Sequence, residues 1–280
     1  MIANSVLTIG LLILRVALLL LGASAGCAHL PGKQNGLPLR VMTYNIRSGN
    51  GDLARVAETI RGFAPDVVGL QEVDVHWADR SAFADQARAL GEMLNMEVRF
   101  APIYTLPGTD SGKPERQFGV ALLSKYPIVK WKNDTLTRLS TQAQNPVPGP
   151  APGLLEATID ISGTPVRVFN THLDYRSDPA VRKQQVLEML THIGDKPGPT
   201  LVFGDMNASP DATELQPLLQ RLRDAWQGVA ASGFTYPAEK PTKRIDYVLT
   251  SNHFRVRAAS VAITEASDHL PVLVDLLLDR

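Results

Sequence analysis

Apolar and polar positions alternate along residues 39–278 in two periods, one typical of strands and one typical of helices. Short apolar runs predict strands at 39–46, 67–71, 98–103, 118–124, 154–161, 166–172, 200–203, 245–250, 254–263 and 271–278. Helical spacing predicts helices at 52–62, 82–94 and 212–222, and another that starts at 177–179. Strands interspersed with helices predict one α/β domain, with two packed sheets and the helices outside them.

Two segments interrupt this pattern and predict surface loops. Residues 106–115 are polar and rich in glycine, and residues 140–153 are rich in proline and glycine. The shorter stretch Ser162-Gly163-Thr164 predicts a hairpin turn between two strands. Because long loops over a rigid scaffold often bind ligands, both long segments are candidates for a binding role.

The first 27 residues differ in kind from the rest of the chain. Residues 6–14 and 16–21 are almost wholly apolar, Arg15 separates them, and small residues lead to Cys27, the only cysteine. This order predicts a secretory signal, and small residues directly before the cysteine favour a bacterial lipoprotein that is cleaved and lipidated at Cys27. A plain signal peptide and an uncleaved anchor helix are the alternatives. Arg15 near the middle of a spanning helix would cost roughly 2.5–3.5 kcal/mol.

The predicted organisation is a signal peptide at 1–27, a tether at 28–37 and a single folded domain at 38–280. We expect an exported monomer, anchored to the membrane by lipid and facing the periplasm or the cell exterior. If Cys27 is lipidated, the folded domain has no cysteine. That excludes a disulfide framework, cysteine-ligated zinc and a thiol nucleophile.

Charge narrows the choice of partners only slightly. The 28 basic and 28 acidic residues balance to a formal net charge of zero, and the chain is 44% hydrophobic, as in ordinary globular proteins. General nucleic-acid binders carry a marked basic excess. The balance therefore counts weakly against binding along a long duplex, although a local basic groove would survive such averaging.

Polar side chains end or interrupt the apolar strands, and this feature indicates a functional site. These residues are Asn45, Gln71, Glu72, His172, Asp205, Asn207, Asp246, Asp268 and His269. Taken singly, each has a plainer explanation: Asn45 could cap a turn, and Asp246 could be the buried partner of Arg244. Because ligand sites lie where the strands of a sheet end, so many polar strand ends in one domain favour a shared site.

The residue types at these positions indicate the chemistry. Carboxylate and amide oxygens without cysteine suit a hard cation such as Mg²⁺ or Mn²⁺. Mg²⁺ keeps several waters and takes few protein ligands, which suits catalysis on phosphate. Histidines beside carboxylates supply acid and base groups or donors to phosphate. Asp205 and Asn207 are two positions apart, so in a strand they would face the same spot.

Six motifs occur in the order found in the endonuclease/exonuclease/phosphatase superfamily, which the sequence resembles. They are TYNI at 43–46, LQEVD at 70–74, FNTHLD at 169–174, GDMNASPD at 204–211, RIDYVLTS at 244–251 and SDHLPV at 267–272. The resemblance covers residues 39–277. It implies the DNase I-like fold, a four-layer α/β sandwich of two packed mixed β-sheets flanked by helices, with the site at one edge.

The resemblance also implies a metal site and a role for each matching residue. Glu72 would be the principal ligand of Mg²⁺ or Mn²⁺, and Asn45 and Asp268 would complete or support that site. Asp205 would position or deprotonate the attacking water, or ligate a second metal. Three further roles are implied: Asn207 contacts the phosphate or the nucleophile, His172 donates to a phosphate oxygen, and His269 pairs with Asp246.

The sequence departs from the superfamily at several points. Glu115 aligns only loosely with the glutamate that, in DNase-like members, pairs with the histidine matching His172. Glu115 could equally be a solvated loop residue. A clear match to the catalytic tyrosine of abasic-site endonucleases is missing, which disfavours DNA repair. Four arginines next to motifs are candidates to hold substrate phosphate: Arg47, Arg80, Arg116 and Arg176. Each could equally be an ordinary surface arginine.

These observations predict a metal-dependent phosphoesterase, expected to be a phosphodiesterase, that works by metal-assisted in-line attack of water. The candidate substrates are a phospholipid head group, a small phosphodiester and an extracellular nucleic acid. Neutral charge and the predicted membrane tether favour the first two. The alternatives are an extracellular nuclease and a non-catalytic binding module that retains the fold. The intact set of polar strand ends argues against the binding module.

Overall fold

Two six-stranded sheets make up the centre of the computed structural model, which describes residues 36–279. The first sheet contains, in spatial order, β11 (Phe254–Val261), β12 (Val272–Leu278), β1 (Leu37–Asn45), β2 (Val67–Val75), β4 (Arg116–Ser124) and β3 (Glu97–Leu106). The second contains β5 (Ile128–Arg138), β6 (Gly149–Ile161), β7 (Thr164–His172), β8 (Thr200–Asp205), β10 (Asp246–Thr250) and β9 (Arg223–Asp224). Both sheets are mixed, because β1 and β2 are parallel, β7 and β8 are parallel, and the other pairs are antiparallel.

Helices cover the outer face of each sheet. The first sheet carries α1 (Leu53–Phe63) and α2 (Gln86–Leu94), and the second carries α3 (Ala180–Ile193) and α4 (Gln216–Arg221). The apolar side of α1 is buried against the first sheet through Val56 and Ile60. The helix–sheet–sheet–helix order confirms the predicted four-layer sandwich.

The inner faces of the two sheets share one apolar core. Phe203 of β8 and Val41 of β1 belong to the same buried cluster. At Gly69 in β2, a Cβ atom would lie 2.6 Å from the Cβ of Phe203, so only glycine allows this approach of the two sheets. The close contact between β2 and β8 positions the ends of these strands near each other.

Most predicted elements are present, with boundaries shifted by a few residues. The hairpin around Ser162-Gly163-Thr164 is confirmed, since β6 and β7 pair on either side of it. The predicted loop at 140–153 is wrong at its end, because β6 already begins at Gly149. The predicted helix at 212–222 is a 3₁₀ turn, Thr213–Leu215, followed by the short α4.

Strand β5 was missed because its sequence lacks an apolar run. It lies at the edge of the second sheet and pairs only with β6, and four consecutive residues, Val129 to Lys132, are exposed. An edge strand needs no continuous apolar stretch, and charged side chains protect it against association.

The predicted signal peptide, Cys27 and the tether up to residue 35 lie outside the described residues. Among the helices within residues 36–279, none is both long enough and apolar enough to cross a membrane.

Candidate active site

The polar residues at the strand ends meet at one edge of the sandwich. Parallel strands β1 and β2 end at this edge in the first sheet, and β7 and β8 end there in the second. They bring Asn45, Glu72, His172 and Asp205 together. Strand β10 runs the other way, so its first residue, Asp246, lies opposite Asp205. The shared site that the sequence predicts is therefore present as a cluster of side chains.

A bulge in β2 directs Glu72 into the site. The register between β2 and β4 shifts between Leu70 and Val73, and Glu72 has a positive φ of 55°. Left-handed backbone at a residue other than glycine is unfavourable and is concentrated at functional sites. The Glu72 carboxylate accepts a hydrogen bond from Nδ2 of Asn45 at 3.0 Å.

Asn45 joins the two sheets at this edge. Its Nδ2 donates to Oε1 of Glu72 and to Oδ2 of Asp205, each at 3.0 Å, while its Oδ1 accepts from the backbone N–H of Arg47. Asn45 is fully buried. Asn45 thus donates to two carboxylates from different sheets, and the role that the resemblance implies for it, to complete or support a metal site, stays a prediction.

Asp205 is the most heavily contacted carboxylate of the cluster. Besides Asn45, its Oδ2 faces Nε2 of His172 at 3.5 Å and Nε2 of His269 at 3.7 Å, and its Oδ1 accepts from the backbone N–H of Asn207 at 2.9 Å. Burial, together with the charge of Asp246, raises the pKa of Asp205, although the two imidazoles act in the opposite direction.

His269 is held by Asp246. Its Nδ1 lies 3.0 Å from Oδ2 of Asp246, which also accepts from the hydroxyl of Thr235. Burial disfavours the charged imidazole, but the charge of Asp246 and its hydrogen bond outweigh that effect and raise the pKa of His269 to about 10. The contribution of Thr235 was missed, since it lies in no motif.

The alternative pairing of Asp246 with Arg244 is not formed. Arg244 contacts Asp224 instead, with Nη2 2.6 Å from Oδ2. Asp246 is 1% exposed, and its Oδ1 has no hydrogen-bond partner among residues 36–279. A buried carboxylate needs a charged partner, and the structure provides it through His269.

His172 and Asn207 complete the part of the cluster that belongs to the second sheet. Nδ2 of Asn207 lies 2.9 Å from Nε2 of His172 and also donates to the carbonyl of Leu173. The loosely aligned partner of His172, Glu115, is exposed, and the ring contacts Asn207 and Asp205 instead. Of the two alternatives that the sequence left open for Glu115, the structure shows the solvated loop residue.

The four arginines selected from the sequence lie in different surroundings. Arg47 approaches Asp268, with Nε 3.5 Å from Oδ2, and Arg176 pairs with Asp174. Arg80 pairs with the buried Asp74. Arg116 donates to the carbonyl of Pro107 and lines a separate pocket. Arg47 and Arg176 lie beside the cluster or in the cleft next to it, and the guanidinium of Arg80 lies 5.6 Å from the ring of Phe118, which lines that cleft.

That cleft opens beside Glu72 and His172. Its empty volume is about 650 Å³, which includes space that is open to solvent. It is lined by Tyr104, Phe118, Arg138, Tyr175 and Arg176 among others. Arg138 also donates to the carbonyl of His172 at 2.9 Å. Tyr104 and Arg138 were not predicted from the sequence, because they lie near the ends of β3 and β5, outside every motif.

Two sets of residues could hold a cation. Asp205, Asp246 and His269 have ligand atoms within 4.8 Å of one another, and all three are buried. In this set, however, the Asp246 oxygen and His269 Nδ1 that face each other are already hydrogen-bonded together. The other set is Glu72 and Asp205, where Glu72 is partly exposed. Because Mg²⁺ keeps several waters, the partly exposed set suits it better.

Comparisons with known proteins agree with this geometry. The model of the Endonuclease/Exonuclease/phosphatase family matches residues 42–269. A structure of an endonuclease/exonuclease/phosphatase from Beutenbergia cavernae is 27% identical, with a TM-score of 0.65 over 86% of this chain and 72% of that chain. A mannosyl-6-phosphatase of Bacteroides thetaiotaomicron is 21% identical, with a TM-score of 0.60 over 86% of this chain and all of that one. The uncharacterized protein YbhP of Escherichia coli K12 is 23% identical over 89% of this chain and its own full length.

Proposed function

The chain belongs to the endonuclease/exonuclease/phosphatase family, and we propose that it is a divalent-metal-dependent phosphoesterase that hydrolyses phosphodiesters. One observation supports this most directly. Nδ2 of Asn45 lies 3.0 Å from carboxylate oxygens of both Glu72 and Asp205, which come from different sheets. Two carboxylates held this close need positive charge between or beside them.

The residues present fit a hard cation. Glu72 and Asp205 supply carboxylate oxygens, and Asp268 lies beside Arg47 next to Asn45. Within residues 36–279 there is no cysteine that could supply a thiolate ligand. Mg²⁺ or Mn²⁺ is therefore the expected metal, held chiefly by Glu72 with Asp268 and Asp205 near it. When bound, the cation would polarise a phosphoryl oxygen and offset charge that develops in the transition state.

The side chains of the cluster would position the attacking water and the phosphate. Asp205 would accept a hydrogen bond from the attacking water, and Asn207, whose backbone N–H fixes the Asp205 carboxylate, would hold the water or a phosphate oxygen in place. His172 and His269 would donate to phosphate oxygens. The water would add to phosphorus as the bond to the leaving oxygen breaks. The water would give up a proton to Asp205, and the leaving oxygen would take up a proton from solvent and depart as an alcohol.

A panel of esters tests the proposal. The full chain is incubated with bis-4-nitrophenyl phosphate, 4-nitrophenyl phosphate, sphingomyelin, phosphoinositides, DNA and RNA, with Mg²⁺, Mn²⁺ or a chelator. We expect metal-dependent hydrolysis of at least one diester, abolished by chelation. The monoester is included because the structurally similar protein from Bacteroides thetaiotaomicron is a phosphatase. Equal, background-level rates for wild type and Glu72→Gln across the panel would favour the non-catalytic module.

Export and membrane anchoring remain part of the proposal on sequence grounds. The small residues before the only cysteine support lipidation of Cys27. Stable anchoring takes more than one lipid signal, since a single acyl chain binds membranes only marginally. Cys27→Ser should release soluble protein or leave an uncleaved precursor. Mass spectrometry of the mature protein decides, and an unmodified Cys27 there would contradict the lipoprotein prediction.

A further inference from the structure

We propose that the cleft beside Glu72 and His172 binds a flat ring that carries hydrogen-bond acceptors, of the kind that a nucleobase presents, on the organic part of the phosphate ester. The inference rests on the proposed function for the reaction, but on the residues of the cleft for the ring. Since Glu72 and His172 line the same cleft, a ligand there would lie within reach of the phosphate site.

Aromatic side chains form much of the cleft. The rings of Tyr104 and Phe118 are 6.2 Å apart and inclined by only 20°, and Trp77 packs against both at 6.4 and 5.8 Å. This packing fixes the two rings before any ligand arrives. Tyr175 lines the same cleft from the segment after β7 and is 63% exposed, so most of its surface is open to a ligand. Rigid and exposed aromatic rings in one cleft suit the stacking of a planar group.

A buried cation without a carboxylate partner also lines the cleft. Arg138 is 8% exposed and donates to the carbonyls of Pro152, His172 and Gly153 and to the hydroxyl of Thr171. All of these acceptors are neutral, and no acidic side chain within residues 36–279 forms an ion pair with it. A guanidinium has five N–H groups, so these contacts leave one for a ligand.

The combination of Arg138 with aromatic walls selects among ligand classes. An alkyl chain placed against Arg138 would deprive a buried cation of solvent without giving it an acceptor, which is unfavourable. A bare sugar can pack its C–H groups on an aromatic ring, but it has no planar π face to stack on Tyr104, Phe118 or Tyr175, and glycerol is too small to cover them. A flat ring with carbonyl oxygens meets both requirements, since Arg side chains donate well to base oxygens such as O6 of guanine.

Equilibrium binding tests this without requiring turnover. The full chain with Mg²⁺ is titrated calorimetrically with uridine 5′-monophosphate, ribose 5-phosphate and octyl phosphate. These share a phosphate monoester and differ in what the cleft would receive. We expect the uridine ester to bind roughly tenfold or more tighter than ribose 5-phosphate, as for a base stacked on aromatic side chains. Equal affinity of these two, or tighter binding of octyl phosphate, would overturn the proposal.

Matched variants locate the ring. Tyr175→Leu removes an exposed ring with little risk to folding and should reduce the preference for the uridine ester severalfold, as should Phe118→Leu. Trp131→Leu is the control, since Trp131 is an exposed aromatic residue on the edge strand β5. This variant should prefer the uridine ester over ribose 5-phosphate as strongly as the wild type does. A preference that survives both Tyr175→Leu and Phe118→Leu would place the ring elsewhere and refute the assignment.

Arg138→Lys keeps the charge but loses the planar fork. We expect it to weaken binding of the uridine ester more than binding of ribose 5-phosphate, whereas equal weakening would restrict Arg138 to a structural role and overturn its part in ring recognition. If this variant does not fold, Tyr175→Leu still decides the question.

Two further comparisons separate the outcomes. A ten-residue oligouridylate that binds more tightly than the monomer would identify the natural ring as part of a strand, and weaker binding would identify a free nucleotide; both support ring recognition. Selective binding without hydrolysis of any ester would refute the proposed function and leave the ring site standing. Hydrolysis of an ester without selective binding of the uridine ester would support the proposed function and refute the ring site.

Discussion

The strand-end cluster and the cleft beside it are neighbours, yet they are built in opposite ways. In the cluster, Asp205, Asp246 and His269 are at most 6% exposed and contact one another. In the cleft, Tyr175 is largely exposed, and Arg138 forms no ion pair with an acidic side chain within residues 36–279. The side chains of the cluster thus hold one another in a fixed geometry, as a reaction site requires. The cleft leaves surface and hydrogen-bonding capacity for a ligand. Reaction and selectivity therefore belong to different side chains.

The largest effect expected from breaking the cluster is that of Glu72→Gln. The change keeps the shape and removes the charge that would hold a cation, so kcat/KM should fall on the order of 10³-fold. Folding should change little, because Glu72 is partly exposed and a glutamine in its place could keep the hydrogen bond that the Glu72 side chain accepts from Asn45. Kinetics with saturating Mg²⁺ and thermal unfolding measure the two quantities.

The control for this variant is Glu115→Gln, which neutralises an exposed carboxylate on the loop before β4. It should behave as wild type. Near-wild-type turnover of Glu72→Gln would remove Glu72 from the metal site.

The second-largest effect is expected from Asp246→Asn. Its kcat should fall on the order of 10²-fold, which is the lower end of the range for loss of a general acid or base. It also predicts a dependence of stability on pH. The pKa of His269 is about 10 in the folded protein, above its usual 6.5. The pairing therefore contributes stability that is full below about pH 6.5 and is lost as the pH rises through about 10.

The free energy of unfolding, measured in urea between pH 6 and pH 10, tests this. The gap between wild type and Asp246→Asn should narrow as the pH rises. A gap that stays constant, with normal kcat, would show that Asp246 does not act through His269.

The same contrast explains what the sequence could predict. The cluster was predictable because its side chains stand at the ends of apolar strands and within ordered motifs, so strand topology alone brings them together. The cleft was not, because Tyr104, Phe118 and Arg138 lie on three separate strands, and β5 itself was missed. Which side chains meet across two sheets depends on packing, and a single sequence shows no pattern for it. Likewise, proximity to motifs led to Arg116, which faces another pocket.

One buried bridge beneath the cluster connects the two sheets and offers a test of stability. Nε2 of Gln71 donates to Oδ1 of Asn170 at 2.7 Å, and Nδ2 of Asn170 donates to the carbonyls of Leu70 and Ala121. Gln71→Leu leaves Oδ1 of Asn170 without its donor, which should cost about 1–3 kcal/mol. Calorimetry should show a melting temperature lower by several degrees. An unchanged melting temperature would mean that the bridge does not stabilise the contact between the sheets.

The smallest expected effect distinguishes Arg176 from Arg116, which were both selected because they lie next to motifs. Arg176 lines the cleft and its guanidinium lies 5.1 Å from the ring of Tyr175, whereas Arg116 binds the carbonyl of Pro107 outside the cleft. Arg176→Ala should raise KM about three- to tenfold with little change in kcat, because a contact made equally in the ground and transition states affects binding alone. Arg116→Ala should leave both parameters within about twofold, as for surface changes away from a site. Steady-state kinetics on the diester that is hydrolysed best compares the two variants. If Arg116→Ala raises KM more than Arg176→Ala does, the substrate follows a different surface, and the cleft beside Glu72 is not where its organic part binds.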